Sequence, residues 1–143
     1  MRYFLTLLCL CWAQLAGAVS FDEHTRQLPL GHEIAVFEDV RGNTALTDIT
    51  SAALEPSFRR HDKDVLNAGY SRSVFWLRLD LEYQPTQGRD SREFLLELAY
   101  PPLDQLDLYV PDLWGGLQRV AQTGDALPFD TRVIQQNNYV FPL

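Results

Sequence analysis

Cysteine is confined to Cys9 and Cys11, so nothing beyond Cys11 can pair in a disulfide or offer a thiolate to a metal. Histidine is scarce as well: His24, His32 and His61 are far apart, and no HExxH or EF-hand spacing accompanies them. The sequence also lacks a P-loop, a dinucleotide-binding glycine fingerprint and a G-x-S-x-G motif. No metal and no cofactor is expected. Basic residues are outnumbered, 12 Lys and Arg against 19 Asp and Glu, for a net charge of −7. The basic clusters, Arg59-Arg60 and Arg89 with Arg92, are too small to make the phosphate-neutralising patch that nucleic acid requires. Nucleic acid is therefore not an expected partner, and the acidity serves solubility. No repeat and no low-complexity tract interrupts the chain.

What is present begins with a leader. Arg2 precedes an apolar run from Tyr3 to Trp12, and Ala16-Gly17-Ala18 supplies the small-x-small pattern of a signal-peptide cleavage site. The run falls short of the roughly 20 apolar residues that span a bilayer, and Gln14 interrupts its end. The expectation is a secretory signal peptide, Met1 to Ala18, ahead of one periplasmic domain from Val19 to Leu143. Cys9 and Cys11 lie too early in the run to be a lipid attachment site. An exported domain without disulfides has to be stabilised by its core, which about 125 residues can build. Without Arg2 its net charge becomes about −8.

The strongest pattern lies between Tyr70 and Val110. From Ser73 to Tyr83 the side chains alternate, with Phe75, Leu77, Leu79, Leu81 and Tyr83 on one side and Val74, Trp76, Arg78, Asp80 and Glu82 on the other. A turn from Pro85 to Asp90 leads to a second alternation, Glu93 to Tyr100. After Pro101-Pro102 a third places Leu106, Leu108 and Val110 against Gln105, Asp107 and Tyr109. Helical spacing fits these runs poorly.

Elsewhere the signals are weaker. Phe21 to Gly31 is expected to be irregular, His32 to Val40 a strand, and Thr47 to Leu54 a short helix capped by Thr47 and stopped by Pro56. Ser57 to Ala68 reads as a solvated loop. Pro111-Asp112 and Gly115-Gly116 bracket Leu113-Trp114 in another loop, Leu117 to Thr123 is a candidate strand, and Gly124-Asp125 makes a turn. Asn137 to Leu143 begins an apolar strand. Short strands every eight to twelve residues with one minor helix predict an all-β fold, an antiparallel sandwich or barrel. A closed sandwich wants more strands after Val140-Phe141-Pro142-Leu143, so the sequence is expected to be the front of a longer protein or a truncated copy.

If the three strong strands are sheet neighbours, Trp76, Arg78, Glu97, Asp107 and Tyr109 share the face away from the core. An aromatic ring beside planar charged groups suits sugar recognition: the ring stacks on C–H faces while the charged groups bond hydroxyls. The rival reading is structural, with Trp76 covering the sheet and Arg78 pairing with Glu97 or Asp107. Acid pairs such as Asp104 and Asp107 do not by themselves place two carboxyls across a cleft, and no catalysis is expected.

The ordered set Gly69-Tyr70-Ser71, Phe75-Trp76-Leu77-Arg78-Leu79, Leu96 to Asp104, Leu108-Tyr109, Gly124-Asp125 with Leu127-Pro128-Phe129 and Arg132, then Val140-Phe141-Pro142-Leu143 resembles the second type of extracellular domain of bacterial seven-transmembrane receptors with diverse intracellular signalling modules. The resemblance implies a jelly-roll β-sandwich like carbohydrate-binding modules, placed before seven inner-membrane helices and a cytoplasmic kinase or diguanylate cyclase. It implies a carbohydrate ligand and marks Trp76, Arg78, Asp104, Tyr109, Asp125 and Arg132 as family-pattern positions. The sequence departs by stopping at Leu143, with no transmembrane segment or output domain, so contact with a membrane would come only through a part beyond it. The reading taken forward is a periplasmic ligand-binding sensor domain. Its alternative is a structural or protein-docking sandwich, and a homodimer is left open.

Overall fold

The structure is a computed structural model that describes residues 17–86, 88 and 93–143. Most of the expected leader, and the part of the Pro85 to Asp90 turn at Gln87, Arg89 and Asp90, lie outside the described residues. The chain divides into two compact units, Met1–Asp90 and Ser91–Leu143. Both are built from strands, and among the described residues the helical elements are one turn of α-helix, α1, Leu46–Ile49, and two short 3-10 turns, Glu55–Ser57 and Phe129–Thr131.

In the first unit, β1 spans Val19–Phe21, β2 Ala35–Asp39, β3 Arg59–Arg60, β4 Val74–Arg78 and β5 Leu81–Tyr83. β2 lies at the centre of an antiparallel sheet between β3 and β4, with Val36 opposite both Arg59 and Leu77, and Phe37 opposite Trp76. The single strand expected from Ser73 to Tyr83 is two. It breaks at Leu79-Asp80, and β5 pairs in parallel with β1, Val19 opposite Leu81 and Phe21 opposite Tyr83. Val19 N–H donates to Asp80 O at 2.7 Å and Gln84 N–H to Phe21 O at 2.8 Å, so the ladder extends past both ends of the pair. A period of two survives a change of partner, which is why the break is silent in the pattern. The same pairing makes Val19–Phe21 a strand, which overlaps the segment expected to be irregular only at Phe21, and adds a parallel pair to a fold expected to be antiparallel.

Two other local expectations change. Thr47 is not the cap of α1: Ala45 holds that position without a side-chain hydrogen bond. The helix ends well before Pro56, where Thr50 Oγ1 donates to Leu46 O and Thr47 O and Ser51 Oγ donates to Asp48 O, hydroxyls satisfying carbonyls that a longer helix would have used. Within the segment expected to be loop, β3 forms an edge strand, and His61 N–H adds a further bond to Ile34 O at 3.0 Å.

The second unit contains β6, Leu95–Leu98, β7, Leu106–Pro111, β8, Leu117–Thr123, and β9, Tyr139–Pro142. β6 pairs antiparallel with β9, and β7 with β8 as a hairpin. Tyr139, Val140 and Phe141, at 1%, 4% and 4% exposure, are the buried hydrophobic side chains among the described residues. Around them the chain closes by polar contacts: the Tyr139 hydroxyl lies 2.8 Å from Pro101 O and 3.1 Å from Leu103 O. The Arg132 guanidinium lies 4.3 Å over the Tyr139 ring and donates to the carbonyls of Gln136 and Asn137. Gly124 is required by a close approach, because a Cβ there would fall 2.1 Å from Asp104 O.

Candidate ligand faces

The five residues expected to share a face are distributed over both units. Trp76 and Arg78 sit on β4, Glu97 on β6, Asp107 and Tyr109 on β7. None of these strands is hydrogen-bonded to another of the three, since β4 pairs with β2, β6 with β9 and β7 with β8. Strand pairing therefore does not gather the five, and each group has its own surroundings.

On β4, Trp76 and Arg78 project to one side of the sheet with Phe37 and Ala35 opposite them. They were expected on the outward side but are half-buried, while Leu77, expected inward, is 43% exposed. The segment after α1 folds across the side of the sheet that carries Phe37 and Arg78: the Phe58 ring packs tilted against Phe37 at 5.8 Å, and the Arg78 guanidinium lies 4.8 Å over Phe58. Arg78 also grips Glu55 with both terminal nitrogens, Nη2 to Oε1 at 2.8 Å and Nη1 to Oε2. That hydrogen bonding holds the Glu55 carboxyl below its ordinary value and raises the Arg78 guanidinium further. The expected partners of Arg78, Glu97 or Asp107, are replaced by Glu55. Nothing in the spacing links two residues 23 positions apart, so sequence reasoning missed both Glu55 and Phe58.

Behind that sheet is a shallow cleft of about 590 Å³, lined by Val36, Glu38, Pro56, Arg59, Leu66 and Phe75 among others. Its lining is more apolar than polar, and it includes the side chains of Glu38, Arg59, Arg60, His61 and Asp62. Glu38 accepts a hydrogen bond from Ser73 Oγ at 2.7 Å. Arg59 was assigned to solvated loop, and only its pairing opposite Val36 brings it to the cleft.

In the second unit Glu97 accepts from Asn138 Nδ2 at 2.6 Å, which fastens the entry to β9. Asp107 and Tyr109 have a more suggestive neighbour. A bulge between Leu108 and Tyr109 shifts the β7–β8 register: Leu108 faces Ala121, but Tyr109 faces Arg119, where an unbroken ladder would offer Val120. Arg119 thereby joins the face that carries Asp107 and Tyr109. Its Nη1 lies 3.7 Å from Asp107 Oδ1, and Asp107 Oδ2 accepts from Gln105 Nε2 at 3.0 Å. The bulge has no signature in the residues of β8, so Arg119 was not foreseen.

The remaining family-pattern positions, Asp104, Asp125 and Arg132, make contacts within the fold. Asp104 offers the carbonyl against which Gly124 packs, Asp125 N–H donates to Leu103 O at 2.6 Å, and Arg132 is buried over Tyr139. Among the described residues, no group of three or more His, Cys, Asp or Glu could hold a metal ion, and no helix is long and apolar enough to cross a membrane.

Comparison with known families places this arrangement among the extracellular sensor-type domains of seven-transmembrane receptors, which are not a known enzyme family. The family model 7TMR-DISM extracellular 2 matches residues 31–143, and the chain belongs to that family. Its class places the chain outside the cytoplasmic face of a membrane, as part of a receptor. Neither a curated protein nor a solved structure matches the chain.

Proposed function

We propose that the chain is a periplasmic sensor module, exported behind a cleaved leader, that binds a carbohydrate without transforming it. The face that supports this reading best is the β7–β8 ribbon, and the observation that carries it is the bulge that sets Arg119 opposite Tyr109 and beside Asp107. A tyrosine ring can stack on the C–H face of a sugar while a carboxylate accepts from, and a guanidinium donates to, its hydroxyls. Trp76, Arg78 and Glu97 belong to the wider proposal as secondary contacts. Arg78 would have to exchange Glu55 for a ligand.

A second reading has its own observation. The Glu55–Arg78–Phe58 stack is self-contained, which favours a structural role for the β4 face and, with it, a sandwich that docks a protein partner. A glycan-array screen of the chain from Val19 to Leu143, followed by calorimetric titration of any hit, separates the two. The proposal expects Tyr109→Ala and Arg119→Ala each to weaken a hit by about tenfold or more. An array without hits, or affinity indifferent to both substitutions, would leave the docking reading in its place.

A further inference from the structure

The tip of the β7–β8 hairpin is a built structure. Asp112 Oδ1 accepts the N–H groups of Trp114 and Gly116, both at 2.8 Å, and the Asp112 N–H donates to Gly116 O at 2.8 Å. Gly115 turns the chain at φ +82°, a conformation that side-chain-bearing residues avoid. At Gly116 a Cβ would meet Asp112 Oδ2 at 2.8 Å, so a side chain there would push at the carboxylate that closes the turn. This ring of hydrogen bonds presents Leu113 and Trp114 side by side at 98% and 92% exposure. Scattered exposed apolar residues are ordinary on soluble proteins, but two large ones on a tip closed by its own carboxylate are not scattered.

We propose that Leu113 and Trp114 form a membrane-interface anchor that enters the headgroup region of a bilayer. Three observations favour a bilayer over a protein pocket. The tip carries one charge, the Asp112 carboxylate, and that group is turned inward onto backbone N–H groups. Apart from Asp112, the chain neighbours of the pair are Pro111, Gly115 and Gly116, which add no polar side chain of the kind that rims a protein–protein hot spot, whereas a lipid surface needs only the apolar wedge. Family membership also puts the chain in a receptor whose other parts lie in a membrane. Tryptophan suits that boundary because its ring is apolar and its N–H can meet water or a headgroup. With no cation at the tip and a net charge of −7, the attraction owes nothing to anionic lipid.

The test is partitioning of the chain onto phosphatidylcholine vesicles, read by co-sedimentation and by quenching of tryptophan emission with brominated phosphatidylcholine. Wild type should partition and be quenched, and added phosphatidylglycerol should not strengthen it. Leu113→Ser and Trp114→Ser should each lower partitioning on the order of tenfold, and their circular dichroism should match wild type because neither side chain is covered. Absence of partitioning, partitioning indifferent to both substitutions, or partitioning that grows with anionic lipid overturns the proposal. So does self-association in sedimentation that Trp114→Ser abolishes, since a second copy would then be what covers the tip.

Discussion

Among the described residues, the buried side chains of the unit from Ser91 to Leu143 are the apolar Tyr139, Val140 and Phe141 together with Thr123 and Arg132; those of the unit up to Asp90 are Glu23 and Asp39. Both sets tie irregular chain to strands. In the second unit this is done by an apolar strand and a guanidinium over an aromatic ring. In the first it is done by carboxylates: Glu23 accepts the N–H and hydroxyl of Thr86, and Asp39 accepts the N–H groups of Arg41, Gly42 and Thr44 at 3.2, 2.9 and 2.7 Å. A buried carboxylate has to stay ionised to do this work, whereas apolar burial and an arginine are indifferent to mild acid. The two units should therefore fail under different insults.

The largest test strikes the apolar side. Phe141→Ala empties the middle of a strand with 4% exposure and should cost about 3 to 5 kcal/mol in a urea titration. Phe75→Ala, at a half-buried position on β4, should cost clearly less. Equal losses would erase the contrast between the units.

Acid strikes the other side. The Thr86 hydroxyl and backbone N–H pull the Glu23 carboxyl down from 4.5 to about 2, and the Thr44 N–H is the largest influence holding Asp39 below its ordinary value. Because these groups bind protons less readily folded than unfolded, Glu23 supplies its stability in full above its unfolded value of 4.5 and loses it as pH falls towards its folded value of about 2, and Asp39 loses its own in the same direction below its ordinary 3.8. Peptide-resolved hydrogen exchange across that range should show the first unit opening before the second, and Glu23→Gln should flatten the dependence around Thr86. Simultaneous opening of both units would mean that the carboxylates are not what holds the first one.

Much of this was legible beforehand, and what was not has a common cause. Period-two alternation located β4, β6 and β7, an apolar run located β9, and turn chemistry bracketed β8 and located the Leu113-Trp114 loop and the Gly124 turn. These are local signals, written within a few residues. Partner choice is not local. The alternation through Leu79 and Asp80 reads identically whether the strand continues or switches sheets, and the N-terminal segment carries no sign that β5 will take it as a parallel neighbour. The candidate faces suffered most, because a shared face needs register: Glu55 reaches Arg78 and Arg119 reaches Asp107 through pairing and a bulge, neither of which leaves a mark on the sequence. Of the family-pattern positions, Arg132 packs over the Tyr139 ring, whereas Arg78 reaches a partner that spacing does not name.

The smallest expected effect bears on the remaining ambiguity in the first unit. Arg78 and Glu55 form a bidentate pair whose side chains are 35% and 60% exposed, so solvent screens much of their attraction and ordering two long side chains opposes the rest. A double-mutant cycle with Arg78→Ala and Glu55→Ala should give a coupling no larger than the scatter of the titration, reduced further by salt. Arg78→Ala alone should still destabilise slightly, because it uncovers the Phe58 ring. A coupling comparable to the loss at Phe141 would instead make the ion pair the first unit's principal fastening and commit the β4 face to structure. With a weak coupling, Glu55 is a partner that Arg78 can release at little cost, and that is the condition under which the guanidinium could turn to a ligand.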